Sequence, residues 1–143
     1  MHTLIKGMKK IDERGSVSFI NEFSFKNVKR FYLVENIDTQ LIRAFHGHMK
    51  EEKYVFVPSG KALVCIVPLS DHSHPSKDVT VEKFILSDDD PQILHIPGGY
   101  ANGVRSLKEN TKIIFFSTAT LHESMQDDFR FSFDYWGKEI WEV

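Results

Sequence analysis

Residues 43–53 read RAFHGHMKEEK, which places an arginine, two histidines one residue apart, two glutamates and two lysines within eleven positions. Such a set serves three kinds of chemistry. Imidazoles with a carboxylate hold a transition metal. An imidazole with its ordinary pKa near ~6.5 takes and returns a proton at neutral pH. A lysine beside it stabilises an oxyanion as it forms. The bland alternative is a polar strand end that only meets solvent, because short motifs match by chance. Alternate side chains of a strand share a face, so His46 and His48 point the same way, with Ala44 and Lys50 beside them.

The elements that must position these residues are strands. SVSFI (16–20), VKRFYLVEN (28–36), LIRAFHGH (41–48), KYVFVPSG (53–60) and KALVCIVPL (61–69) follow one another closely. VTVEKFILS (79–87), PQILHIP (91–97), NGVRSL (102–107), TKIIFFSTA (111–119) and DFRFSFDYW (128–136) complete the series. These runs are β-branched and aromatic, and the last alternates Phe129, Phe131 and Phe133 with Arg130, Ser132 and Asp134. PSGK and DDDP punctuate them as turns. LHESMQDD allows a turn or two of helix at most. About ten strands at short spacing, without helices between them, predict an all-β sandwich or barrel.

The chain has 143 residues, enough for one domain over 1–143 with a real core. A formal charge of −2 and scattered basic residues argue against a nucleic-acid partner. The N-terminal MHTLIKGMKK has no signal-peptide pattern, and no apolar run is long enough to span a membrane. Cys65 is the only cysteine, so no internal disulfide forms and a cytoplasmic setting is expected. Cys65 itself reads as a buried, inert thiol. His72 and His74 read as a solvated loop, His95 as a core or rim residue, and Trp136 and Trp141 as closing the barrel or a subunit contact.

HxHxxxE, met by His46, His48 and Glu52, resembles the first motif of the cupin superfamily. PGGYAN (97–102) resembles the second, with Asn102 where the superfamily has its last metal-binding histidine. A metal on His46, His48 and Glu52 is one alternative this leaves open. Over about residues 8–136 the chain resembles the deoxysugar branch of that superfamily. These are the dTDP-4-dehydrorhamnose 3,5-epimerases and the dTDP-4-keto-6-deoxyhexose 3,4-ketoisomerases. KKIDERGSVSFINE resembles the opening strand of both, VKRFYLV and RAFHGHMK the ketoisomerases, and EKYVFVPSGKALVCIVPL and LHIPGGYANGV the epimerases.

The resemblance implies a cupin-type jelly-roll barrel of about ten strands, a homodimer, and no metal or organic cofactor. It implies that Arg14 and Arg43 bind a nucleotide diphosphate. His46 is matched to the epimerase base, His46 and His48 to ketoisomerase active-site histidines, and Lys53 to a lysine that stabilises an enolate. Tyr32, Tyr54, Tyr100 and Asn102 are the further residues expected to meet substrate, with Phe31, Tyr54 and Tyr100 as candidates to face a thymine ring. The implied reaction is isomerisation or epimerisation of a nucleotide-linked 4-keto-6-deoxysugar by histidine-mediated enolisation. Three positions depart from the family. Phe115 or Phe116 replaces the epimerases' late-strand tyrosine, Leu33 matches a ketoisomerase tyrosine, and Asn102 replaces a late histidine. The aspartate that orients the epimerase histidine, near a C-terminal extension, has no counterpart before Val143. These departures leave a nucleotide-sugar-binding cupin without catalysis as the alternative function, and a metal-dependent cupin enzyme as a third.

Overall fold

The computed structural model describes residues 3–143, so Met1 and His2 of the N-terminal stretch lie outside the description. Its strands are β1 (Thr3–Lys6), β2 (Met8–Asp12), β3 (Gly15–Phe19), β4 (Arg30–Glu35), β5 (Ile42–His48) and β6 (Lys53–Ser59). They continue with β7 (Lys61–Pro68), β8 (Glu82–Ser87), β9 (Gln92–Ile96), β10 (Tyr100–Ser106), β11 (Lys112–Ser117) and β12 (Phe129–Arg130). A short helix, α1 (Leu121–Met125), and a 3-10 turn (Lys138–Trp141) are the remaining elements. Among the described residues no helix is long and apolar enough to cross a membrane.

Two antiparallel five-stranded sheets, ordered β1-β9-β6-β11-β4 and β12-β5-β10-β7-β8, face each other, and β2-β3 forms a separate hairpin. This is a jelly-roll sandwich, as the strand pattern predicts. The inner core lies between the sheets, with Val55, Val57, Val64, Ile66, Leu94, Ile96 and Ile113 among its buried residues. A second core covers the outer face of the β5-containing sheet, where Leu63, Cys65 and Val67 pack with Phe45 and Trp141. The two cores explain why KALVCIVP is apolar without alternation: both faces of β7 are covered. Burial pushes the Cys65 thiol up to about 12, which leaves it unreactive.

The sequence predicts one strand over 128–136, but β12 ends at Arg130 and the last backbone bonds to β5 are the two that Phe131 exchanges with Phe45. Beyond it the chain turns and is tied down by side chains. Tyr135 Oη donates to Pro75 O at 2.6 Å, and Trp136 Nε1 donates to Ser76 O at 3.0 Å. The tail thus becomes the lid of the second core, consistent with the reading of Trp136 and Trp141 as barrel-closing.

One irregularity governs the site. On β5, Arg43 pairs with Val104 and His46 with Asn102, so Ala44 and Phe45 together oppose the single Gly103. This β-bulge inverts the alternation on its N-terminal side. Arg43 therefore shares the inner face with His46, and Ala44 packs into the outer core, contrary to the strict period of two. Glycine is needed at 103 because a Cβ would press on Ala44 and come within 2.8 Å of the Trp141 ring.

Candidate active site

Between the open ends of the two sheets lies a cavity of about 370 Å³. Strand β4 contributes Arg30, Tyr32 and Val34; β5 contributes Arg43, His46 and His48; and β6 contributes Lys53. Asn102 and Val104 of β10 and Phe115 of β11 form its floor, while Leu121, Ser124 and Met125 of α1, with Asp128 and Arg130, close the other side. Four cations and one carboxylate line the space, so it favours an anion.

His48 is the most firmly held of these groups. Its Nδ1 lies 2.6 Å from the carbonyl oxygen of Asp127, and since a carbonyl only accepts, Nδ1 carries the proton. Nε2 is then the bare lone pair, buried and, among the described residues, without a hydrogen-bond partner. The Asp127 carboxylate accepts the main-chain N–H groups of Met49, Lys50 and Glu51 at 2.8–2.9 Å, which fixes the turn after β5. Burial alone would raise that carboxyl, but these three donors outweigh it and hold it below the usual range. Burial, then the charge of Lys53, pulls the His48 imidazole below its ordinary value, against Asp127 O and Glu51. His46 is pushed down to about 4, chiefly by burial and then by Arg130 and Lys53. Both imidazoles are neutral bases at pH 7.

Lys53 begins β6 facing inward, and its Nζ donates to Tyr32 Oη at 2.8 Å. Burial lowers the Lys53 ammonium and raises the Tyr32 phenol. Tyr32 pairs with Phe115 across β4 and β11, and the rings stack 5.2 Å apart. Asn102, opposite His46 in the ladder, donates to its carbonyl oxygen at 3.3 Å. Arg43 Nε donates to Asn36 Oδ1 at 2.5 Å, which steadies the guanidinium.

The cavity therefore brings together His46, His48, Lys53, Tyr32, Arg43 and Asn102. It does not bring in four others. Arg14 lies on the exposed β2-β3 hairpin, paired with Asp12 at 2.7 Å. Tyr54 faces outward and stacks on His95 at 4.7 Å. Tyr100 packs against the inner core, outside the cavity lining. Glu52 also turns outward, where its Oε1 meets His95 Nε2 at 2.5 Å, so His46, His48 and Glu52 do not converge. Among the described residues no group of three or more His, Cys, Asp or Glu could hold a metal ion. The donor set thus does not fit the metal alternative.

Phe31 is exposed on the outer face, so none of the three aromatics proposed to face a base lines this cavity; Leu121 and Met125 supply the apolar wall instead. Leu33 also faces out, and the inward phenol of β4 is Tyr32. Sequence reasoning missed Arg30, Arg130, Asp128 and Glu51. Arg30 was within reach, since it alternates with Tyr32 and Val34. Arg130 needed the register that sets it opposite His46.

With this geometry in place, the comparisons with known proteins are specific. The family model described as dTDP-4-dehydrorhamnose 3,5-epimerase matches residues 4–134. The chain belongs to that family. It is 34% identical over 95 residues to spore coat polysaccharide biosynthesis protein SpsL of Bacillus subtilis (strain 168), a match spanning 66% of this chain and 62% of SpsL. The match therefore covers less than two thirds of that relative. Among solved structures, a dTDP-4-dehydrorhamnose 3,5-epimerase from Sulfolobus tokodaii aligns with TM-score 0.75 and 23% identity, covering 94% of this chain and 78% of the other. QdtA, a sugar 3,4-ketoisomerase from Thermoanaerobacterium thermosaccharolyticum in complex with TDP, aligns with TM-score 0.69 and 18% identity, covering 96% and 93%. These likenesses establish the cupin-type fold.

Proposed function

We propose that the chain is an isomerase or epimerase of a nucleotide-linked 4-keto-6-deoxysugar, acting by enolisation within this cavity. One observation carries the reading: His48 is anchored through Nδ1, its Nε2 lacks a partner among the described residues, and the Lys53–Tyr32 pair lines the same cavity. A carbonyl acidifies the adjacent C–H. Nε2 removes that proton, the electron pair moves into the carbonyl, and the enolate oxygen is met by Lys53 and the Tyr32 hydroxyl. When the C4 oxygen takes up a proton, the C3 hydroxyl gives one up and the abstracted proton returns to C4, the product is a 3-keto sugar; return of the proton to the same carbon on the other face gives an epimer. His46 and His48 lie on one face, which favours the first. No step requires a metal or organic cofactor. Arg30, Arg43 and Arg130 suit a diphosphate, to which guanidinium groups bind in a bidentate fork.

The test is an NMR time course of dTDP-4-keto-6-deoxyglucose with the protein in heavy water. Loss of the C3 or C5 proton signal, or a 3-keto product, is expected. Binding without exchange would favour the non-catalytic nucleotide-sugar-binding alternative, and absence of both would reject the substrate class.

The working unit in this proposal is a homodimer. Phe25, Phe31 and Leu33 are exposed near or on the outer face of the β6-containing sheet, and Ile11 and Val17 on the hairpin. Joining copies through these surfaces covers apolar area. Phe31→Glu is expected to shift the protein to monomer in sedimentation equilibrium. A wild-type protein that sediments as a monomer would contradict this arrangement.

A further inference from the structure

Beneath the cavity lies a buried carboxylate that the proposed reaction leaves unused. Glu51 is three residues beyond His48, in the turn before β6, and its side chain is 1% exposed. Ser117 Oγ of β11 donates to Oε2 at 2.6 Å, and Ser124 Oγ of α1 donates to Oε1 at 2.7 Å. Arg30 approaches Oε2 at 3.6 Å. Oε1 also stands 3.5 Å from His48 Nδ1, the nitrogen that Asp127 O already holds. A carboxylate sealed from water costs stability unless its lone pairs are satisfied, and two hydroxyls from separate elements satisfy these.

We infer that Glu51 is a positioning residue for the proposed base: its charge stabilises the His48 imidazolium formed when Nε2 takes the substrate proton. The inference rests on the enolisation reading. Its physics is that of a buried carboxylate behind a catalytic imidazole, which holds the ring and stabilises its charged form without itself taking the proton. Asp127 O sets the tautomer, and Glu51 supplies the countercharge. The same carboxylate ties α1 to β11, so one side chain sets both the base and a wall of the cavity. Other charged groups also act on His48. Lys53 of β6 and His46 of β5 oppose its protonation, and the Asp127 carboxylate favours it. Arg30, Arg130 and Asp128 line the cavity around it.

Glu51→Gln keeps the size and hydrogen-bonding capacity and removes the charge. The expected result is a fall in kcat on the order of 10²-fold with KM little changed. In the ligand-free protein, the NMR titration midpoint of the His48 ring is expected to fall by about one pH unit or more. Glu51→Asp, which retains the charge, is expected to recover part of both. An unchanged midpoint in Glu51→Gln overturns the inference. Should that variant fail to fold, the native protein decides. The carboxyl carbon of labelled Glu51 must report the His48 midpoint, and a Glu51 signal blind to it overturns the inference. The titration needs no substrate. A coupled pair in a protein that never exchanges a sugar proton would therefore support the charge coupling while removing the function reading.

Discussion

His48→Asn is expected to abolish exchange of the sugar proton, with turnover falling about 10³-fold or more, at the upper part of the range for a positioned general base. Asparagine is close to the imidazole in size and can still donate to Asp127 O, so the turn after β5 should hold and the nucleotide should still bind. Exchange persisting at a near-native rate would transfer the role of base to His46. The pH dependence carries the same signature. The base works unprotonated, and His48 is held below the ordinary histidine value by burial and Lys53. The acid limb of kcat/KM should therefore fall below pH ~6.5. Stability follows the same sign. His46 binds its proton near ~6.5 when unfolded but only at about 4 when folded. The stability tied to its neutral form is complete above the unfolded value and is lost as pH falls through that window.

Much of the site was readable because it follows a period of two. His46 and His48 share a face, Lys53 opens the next strand inward, and the twofold rule by itself puts Tyr32 and Leu33 on opposite faces. What resisted reading was a change of parity. The bulge opposite Gly103 brings Arg43 into the cavity and sends Ala44 out, and nothing local in RAFHGH announces a two-against-one pairing. The turn after β5 offers a second example. HxHxxxE suggests Glu52, whereas the three bonds to Asp127 wind the turn so that Glu51 goes in and Glu52 goes out. That partner is 76 residues away, beyond the reach of spacing arguments. The fold was more legible than the site, because it needs only that strands exist, whereas the site needs their register. The tail escaped for a related reason. Alternation in DFRFSFDYW is real, with Arg130 inward and Phe131 in the outer core. It describes a short edge strand on β5, after which the chain leaves the sheet and lies over its outer face.

Lys53→Met should be nearly as damaging as loss of the base, and for a different reason. The expected fall in kcat is about 10²–10³-fold, the scale for removing a preorganised oxyanion partner, with KM little changed. Methionine fills the space of the aliphatic stem but leaves the buried Tyr32 hydroxyl without its 2.8 Å donor. The resemblance sets Phe115 or Phe116 against the epimerases' tyrosine acid, and of the two Phe115 lines the cavity. A phenol nevertheless reaches the cavity from Tyr32, the cross-strand neighbour of Phe115. Burial keeps that phenol protonated well above its usual range, and Lys53, facing its oxygen, leaves the hydroxyl proton free to be given to the substrate. Because burial also lowers the Lys53 ammonium, the basic limb of the pH profile should fall below the ordinary lysine value of ~10.4. Tyr32→Phe separates the two contributions. It retains the ammonium and loses the hydroxyl, so a smaller loss of turnover with the basic limb still present assigns the oxyanion to Lys53. A loss equal to that of Lys53→Met would instead make the pair a single unit, with the hydroxyl as the group that touches the enolate.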